Sequence, residues 1–393
     1  MHLPAAMDGG PHQMIAAGET WNPGWTIDQP ASTLWYHPHP HGETANHVYR
    51  GIAGPFLIDD DESSGLDLPD EYGVDDIPLI IQDKKFENNG ELDFSAASFT
   101  DSLSGVGSFG ILGDRILVNG TYNPHLEVRR TLTRFRLLNG SNARFYNIGF
   151  SDDRRFHVIA TDNGLLAGAP AEMTRLLLGL GERAEIVVAF SAGDEVILHS
   201  FKQDLSTAGV SERQIGAEDT FDILKLRAAD RLETSPPLPT ELGSNGDGPP
   251  VSDDATTRTF TLNGHGSING EEMDVNRIDL VIPANALEIW QVESSGQPHT
   301  FHIHGSTFHV LDVNGAAPPP ELRGPKGTVL VSRDRNVRPA VQFLAYTDAA
   351  MPYMYHCHIL QHEDNGMMGQ FVVVEPGTED SVPRTIEGHG HHS

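Results

Sequence analysis

The chain holds one cysteine, Cys357, and it stands between two histidines, His356-Cys357-His358, with His362 and Met367 close behind. On a β-strand successive side chains point to opposite faces. His356 and His358 therefore face one way and Cys357 the other, and a single strand can serve two metal sites. Cys357, His362 and Met367 supply a thiolate, an imidazole and a weak thioether, which is most of a blue-copper set. The second imidazole is expected from His299. Taken alone, a lone cysteine reads as a buried apolar side chain; its neighbours favour the metal reading.

Two further clusters contain histidines at strand spacing. In His299-Thr300-Phe301-His302-Ile303-His304, His302 and His304 share a face, while His299 turns toward another metal. By itself this cluster also fits zinc or a satisfied core. In His37-Pro38-His39-Pro40-His41 the prolines stiffen the run, and Trp35-Tyr36 ahead of it suggests a buried approach rather than a surface tract. The terminal His389-Gly390-His391-His392 reads as a frayed tail, with adventitious metal binding as the alternative.

The elements that must hold these clusters read as strands. β-branched apolar runs such as 77–81, 184–190 and 370–374 recur between turn signals, and the 40 glycines and 26 prolines are spread along the chain. Asn119-Gly120 and Asn139-Gly140 are expected at tight turns; both also match the N-x-S/T glycosylation pattern. Segments 59–76 and 227–257 read as linkers. They divide the chain into a short block 1–60, a block 77–227, a block 258–376 and a flexible tail 377–393, the first block being too short for a complete sandwich of about 100 residues.

Composition narrows the function. Apolar content of 38% and charged content of 21% suit a globular protein. The 55 acidic against 26 basic residues give a formal charge of -29, which argues against binding nucleic acid or an anionic membrane through a basic face. That charge reads as a solvated acidic surface, or as an attractor of copper and cationic aromatic substrates. No run approaches the roughly 20 apolar residues of a membrane span. The first basic residue is Arg50, so no signal peptide is visible.

With these clusters in place, the sequence resembles the multicopper oxidases, in particular the bacterial laccase, cuprous oxidase and bilirubin oxidase group. The blocks Met7 to Pro11, Trp35 to Gly42, Arg134 to Gly140, Pro298 to Gly305 and Tyr355 to Met368 carry the resemblance. It implies an all-β chain of tandem cupredoxin-like Greek-key sandwiches, the first incomplete. It also implies type 1 copper on His299, Cys357, His362 and Met367, and type 2 copper on His302. A type 3 pair would take His37, His39, His304, His356 and His358. His41 matches a family position that is not usually a ligand. Asp8 and Glu363 match acids that feed protons to reduced oxygen. The implied reaction takes single electrons from a phenol, aromatic amine or similar small donor and reduces dioxygen to water, in the periplasm or outside the cell.

Two departures stand out. The family's remaining His-x-His-Gly block, giving one type 2 and one type 3 ligand, falls just before the region matching Met1. The expectation is therefore an internal methionine read as a start, or a fragment, with the cluster impaired. Second, segment 263–279 contains only Met273 and no Met-rich insert, which lowers the expectation of a dedicated cuprous oxidase. The alternatives are an electron-transfer protein using only the type 1 site, a copper-free structural protein of the division-protein kind, and a two-domain nitrite reductase. The eight matching histidines and Cys357 speak against the copper-free reading.

Overall fold

The computed structural model describes residues 1–94, 109–205, 207, 212–243 and 248–386. Among them the strands form five sheets, and helices are few and short. The fold is all-β, as expected.

The first block contributes a two-stranded antiparallel sheet, Ser32–Tyr36 with Gly54–Ile58. The middle of the chain builds an eight-stranded and a five-stranded sheet that close over one apolar core, with Phe135, Phe150, Phe156, Val158 and Ile186 fully buried. The last part builds two five-stranded sheets around Trp290, which is enclosed by Phe260, Phe301, Phe343, Phe371 and Tyr355. Truncating such a residue costs about 3–5 kcal/mol. Strand Leu287–Ser294 shows the half-buried alternation of a sheet with one solvated face, whereas Met368–Val374 is buried along its whole length. The core of the last two sheets also takes in Ala143, Phe145 and Leu180 from the middle of the chain.

A buried ionic knot ties the first sheet to the middle ones. Thr33 donates its hydroxyl to Glu185 Oε1 at 2.7 Å, Arg134 donates to Glu185 Oε2, and Arg136 grips Asp76 through Nε and Nη2 at 2.8 and 2.7 Å. Burial works against the charge on Glu185. The two guanidiniums more than offset it and leave its pKa below the usual carboxylate range.

Two local expectations fail. Strand Phe221–Glu233 runs through the start of the segment read as a linker, because residues 225–228 pair in parallel with His125–Arg130. Asn139-Gly140 is not a hairpin turn. Asn139 is buried at the end of strand Leu132–Asn139 and donates its amide to Arg144 O and Leu178 O. Asn119-Gly120 is the turn expected, with φ of 50° and 76° between strands Arg115–Val118 and Thr121–Tyr122. The terminal histidines lie outside the described residues.

Candidate metal centre

Strand register sets the middle of the site. In one sheet of the last pair, His299–Ile303 lies antiparallel to Asp348–Cys357, with Phe301 opposite Cys357 and His302 opposite His356. Opposed residues of an antiparallel pair share a face. His302 and His356 therefore emerge on one side, and Cys357 on the other side with His299, two residues from Phe301.

On the Cys357 side, His299 Nδ1 and His362 Nδ1 lie 3.4 and 3.6 Å from Cys357 Sγ and 3.3 Å from each other. All three residues and Met367 are fully buried, and the Met367 carbonyl accepts the Cys357 N–H at 3.0 Å. His362 is carried by the short helix Leu360–Asp364 that follows Cys357. Burial pushes the Cys357 thiol up to about 12, and burial first with His265 second brings His299 down to about 3. A neutral thiol among neutral imidazoles is what a dry site gives before a cation draws off the thiol proton.

On the opposite side, His39, His304 and His356 form a second close group. His356 Nε2 is 3.3 Å from His39 Nε2 and 3.1 Å from His304 Nε2. The other ring nitrogens fix the tautomers. His356 Nδ1 lies against the carbonyl of Cys357, His304 Nδ1 against Asp8 Oδ2 at 2.7 Å, His302 Nδ1 against Gly327 O at 2.7 Å and His37 Nδ1 against Pro38 O. Carbonyls and carboxylates only accept, so each Nδ1 carries the proton and each Nε2 presents a lone pair. Paired Nε2 lone pairs at 3.1 Å repel unless a cation stands between them, and the donor set fits copper. Burial, reinforced by neighbouring imidazole charge, holds His39, His302, His356 and His358 well below the usual histidine range, so all four are neutral.

His37 and His358 complete the arrangement, their ring centres 5.5 Å apart, with His358 5.7 Å from His302. Gly181 lies against the His358 ring; a Cβ there would stand 2.6 Å from its Cδ2, at a φ of +70° that side chains avoid. The indole of Trp35 packs on both His37 and His358. A cavity of ≈ 660 Å³ lined by Trp21, Trp25 and Trp35 reaches His37, His302 and His358.

Two carboxyls flank the cluster with pKa values shifted in opposite directions. Asp8 is lowered, its burial outweighed by the charge and hydrogen bond of His304. Glu363 is buried, 3.2 Å from His356 Nδ1 and 3.5 Å from His39 Nε2; burial first and Asp364 second raise it well above the carboxylate range. Asp364 in turn accepts the Thr44 and Ala45 N–H groups and so ties the segment after His39 to the helix of His362.

Every site residue expected from the sequence falls in one of these two groups or against them. His41 does not take part in either close group. Sequence reasoning missed Asp162, whose carboxylate accepts the N–H of Gly327 and Thr328 and so steadies the loop that orients His302. It also missed Gly181 and Gly327, neither of which has a local pattern that would reveal it; Trp35 was singled out only as part of a buried approach to His37.

Comparison with known proteins identifies the family. Residues 1–63 and 246–377 match family models described as multicopper oxidase. The chain is 38% identical to cell division protein FtsP of Escherichia coli over 385 residues, 95% of this chain and 77% of that protein. It is 35% identical to the multicopper oxidase Mco of Staphylococcus epidermidis over 378 residues, 95% of this chain and 75% of that one. Among solved structures, a laccase-like multicopper oxidase of Ochrobactrum sp., described as having oxidase activity towards lignin model compounds and lignosulfonate, superimposes with a TM-score of 0.83 at 34% identity. That match covers 95% of this chain and 83% of the other.

Proposed function

The chain belongs to the multicopper oxidase family, and on that premise we propose that it is a copper-dependent oxidase coupling one-electron oxidation of small aromatic donors to reduction of dioxygen to water. The observation that carries this reading is the convergence of His299 Nδ1, Cys357 Sγ and His362 Nδ1 within 3.6 Å, beside buried Met367. These four would hold a type 1 copper. His39, His304 and His356 would hold one copper of a type 3 pair, His37 and His358 the other, and His302 the type 2 copper.

Bound copper supplies the one-electron redox chemistry. The chain's own residues supply the rest. Cys357 is joined to His356 and His358 by single peptide units, so the two groups share a short covalent route. Burial of the Cys357 group keeps water from the thiolate. Glu363, its carboxyl raised by burial, lies 3.2 Å from His356 and can hold a proton there; Asp8, its carboxyl lowered, orients His304 and can receive and pass on a proton. The aromatic cavity offers dioxygen and water a way to His302, His37 and His358.

Within residues 1–393 the type 2 position has one imidazole and one type 3 position has two. The reading includes the periplasmic or extracellular location that the family resemblance implies; among the described residues no helix is long and apolar enough to cross a membrane. Phenols and aromatic amines are the donors we favour, in line with the Ochrobactrum enzyme's lignin-type substrates.

A second reading is favoured by the similarity to FtsP, named a cell division protein: a structural role of the division-protein kind, for which this chain would need no copper. Copper stoichiometry with absorption and EPR spectra decides. A blue thiolate–copper(II) band with more than one copper per chain and a type 2 signal supports the oxidase. A blue band with a single copper supports electron transfer alone. Folded protein that takes up no copper and shows no blue band supports the division-type reading.

A further inference from the structure

The Cys357 group has no surface of its own. His299 and His362 are fully buried, so a donor molecule cannot touch either imidazole. Among the described residues the rings packed on His362 are those of His299, Phe109 and His265. Phe109 is 2% exposed; His265 alone is half-buried, its ring centre 5.1 Å from that of His362. His265 lies in the 263–279 segment, which is anchored over this end of the site by the Met273 N–H to Gly366 O bond, one residue from Met367.

The hydrogen bonds around His265 fix what it can offer. Gln297 donates its amide N–H to Gly264 O, so its Oε1 is an acceptor. His265 Nε2 lies 2.9 Å from that Oε1 and must donate to it. Nδ1 is then the lone-pair nitrogen of the ring. Gln297, two residues before His299 and itself buried, holds this tautomer.

We propose that His265 is the donor-docking residue of the Cys357 centre: molecules with an aromatic ring and an O–H or N–H group bind by hydrogen bonding to Nδ1 and packing on the imidazole, one ring away from His362. This rests on the oxidase reading and narrows its substrate class. A fixed acceptor one ring away from His362 selects phenols and aromatic amines over their methylated ethers, and it does so whether or not copper is bound.

The test is equilibrium binding of 4-nitrophenol, a poorly oxidisable phenol, and of 4-nitroanisole, which lacks the O–H. Both are titrated into the full chain, copper-free and copper-loaded, followed by calorimetry, with the visible spectrum recorded for the loaded forms. Loss of a ring contact and one hydrogen bond is expected to weaken 4-nitrophenol about tenfold in His265→Ala and about threefold in His265→Gln, which keeps the Gln297 bond. The ether should bind more weakly from the start and respond less to either change. The blue band should keep its position in both variants. Unchanged 4-nitrophenol affinity in both variants, with the blue band present, overturns the His265 role and leaves the oxidase reading standing; so does faster phenol oxidation in His265→Ala, which would make the ring a cover rather than a dock. Absence of a blue band in the loaded parent chain overturns both.

Discussion

Asp8 Oδ2 lies 2.7 Å from His304 Nδ1, joining positions 296 residues apart in the chain. The contact fixes the imidazole so that Nε2 faces His356, and it links the first turn of the chain to the strand pair that holds both metal groups. Nearby, Tyr353 donates its hydroxyl to Leu3 O at 2.7 Å and holds the same segment in place.

Asp8→Asn keeps an acceptor for His304 but removes the charge. Copper bound by His39, His304 and His356 should weaken about 10–100-fold, as is typical when the group behind a ligating imidazole is altered. The blue band of the Cys357 group should be unaffected. Competition with a copper chelator, site by site, reads the outcome; equal weakening at both groups would mean that Asp8 acts on the fold and not on His304.

Cys357→Ser should abolish the blue absorption completely, since serine cannot provide the thiolate. His39, His304 and His356 should still bind copper, because their geometry depends on register and on Asp8. Loss of copper from both groups in a folded variant would contradict the separation of the two faces.

Gly181→Ala drives a methyl group toward the His358 ring at a backbone conformation that disfavours it. A stability loss of about 1–3 kcal/mol is expected, with copper lost first from the position served by His37 and His358. Denaturant titration and copper counting test this together. A variant with unchanged copper content would show that His358 can move aside freely.

Glu185 supplies an acid-sensitive part of the stability. Its pKa is depressed in the folded chain relative to an ordinary value of 4.5. Its contribution is therefore fully present above about pH 4.5 and is lost as pH falls through the folded value. Glu185→Gln should be destabilised at pH 7 by about 3–5 kcal/mol, the range for breaking a buried pair. The gap between parent and variant should narrow below about pH 4.5. Because exposed carboxylates titrate alike in both proteins, the difference isolates this group. A gap that stays constant from pH 7 to pH 3 would be inconsistent with the buried knot.

The sequence made the metal chemistry unusually legible, because His356, Cys357, His358, His362 and Met367 lie within twelve positions and strand alternation assigns the faces of the first three. The all-β class was legible from the same periodicity. Other features depend on distant partners and leave no local trace. Residues 227–233 look like a linker until His125–Arg130 lies beside their strand. Asn139-Gly140 has the composition of a turn, but the carbonyls of Arg144 and Leu178 claim its amide. His265 belongs to none of the histidine clusters, and only its packing on His362 distinguishes it.

The pairing of Phe301 with Cys357 and of His302 with His356 has a consequence for how such a chain can change over generations. His299 and Cys357 of one metal group and His302 and His356 of the other are written on one pair of strands in alternating positions, like two messages interleaved letter by letter. A single-residue insertion or deletion within either strand turns every side chain beyond it to the other face, so it scrambles both messages at once. Within these two strands the sites can be lost one at a time only by substitution, and a lineage that abandons copper there should show it first as altered ligand identities on an unaltered strand length.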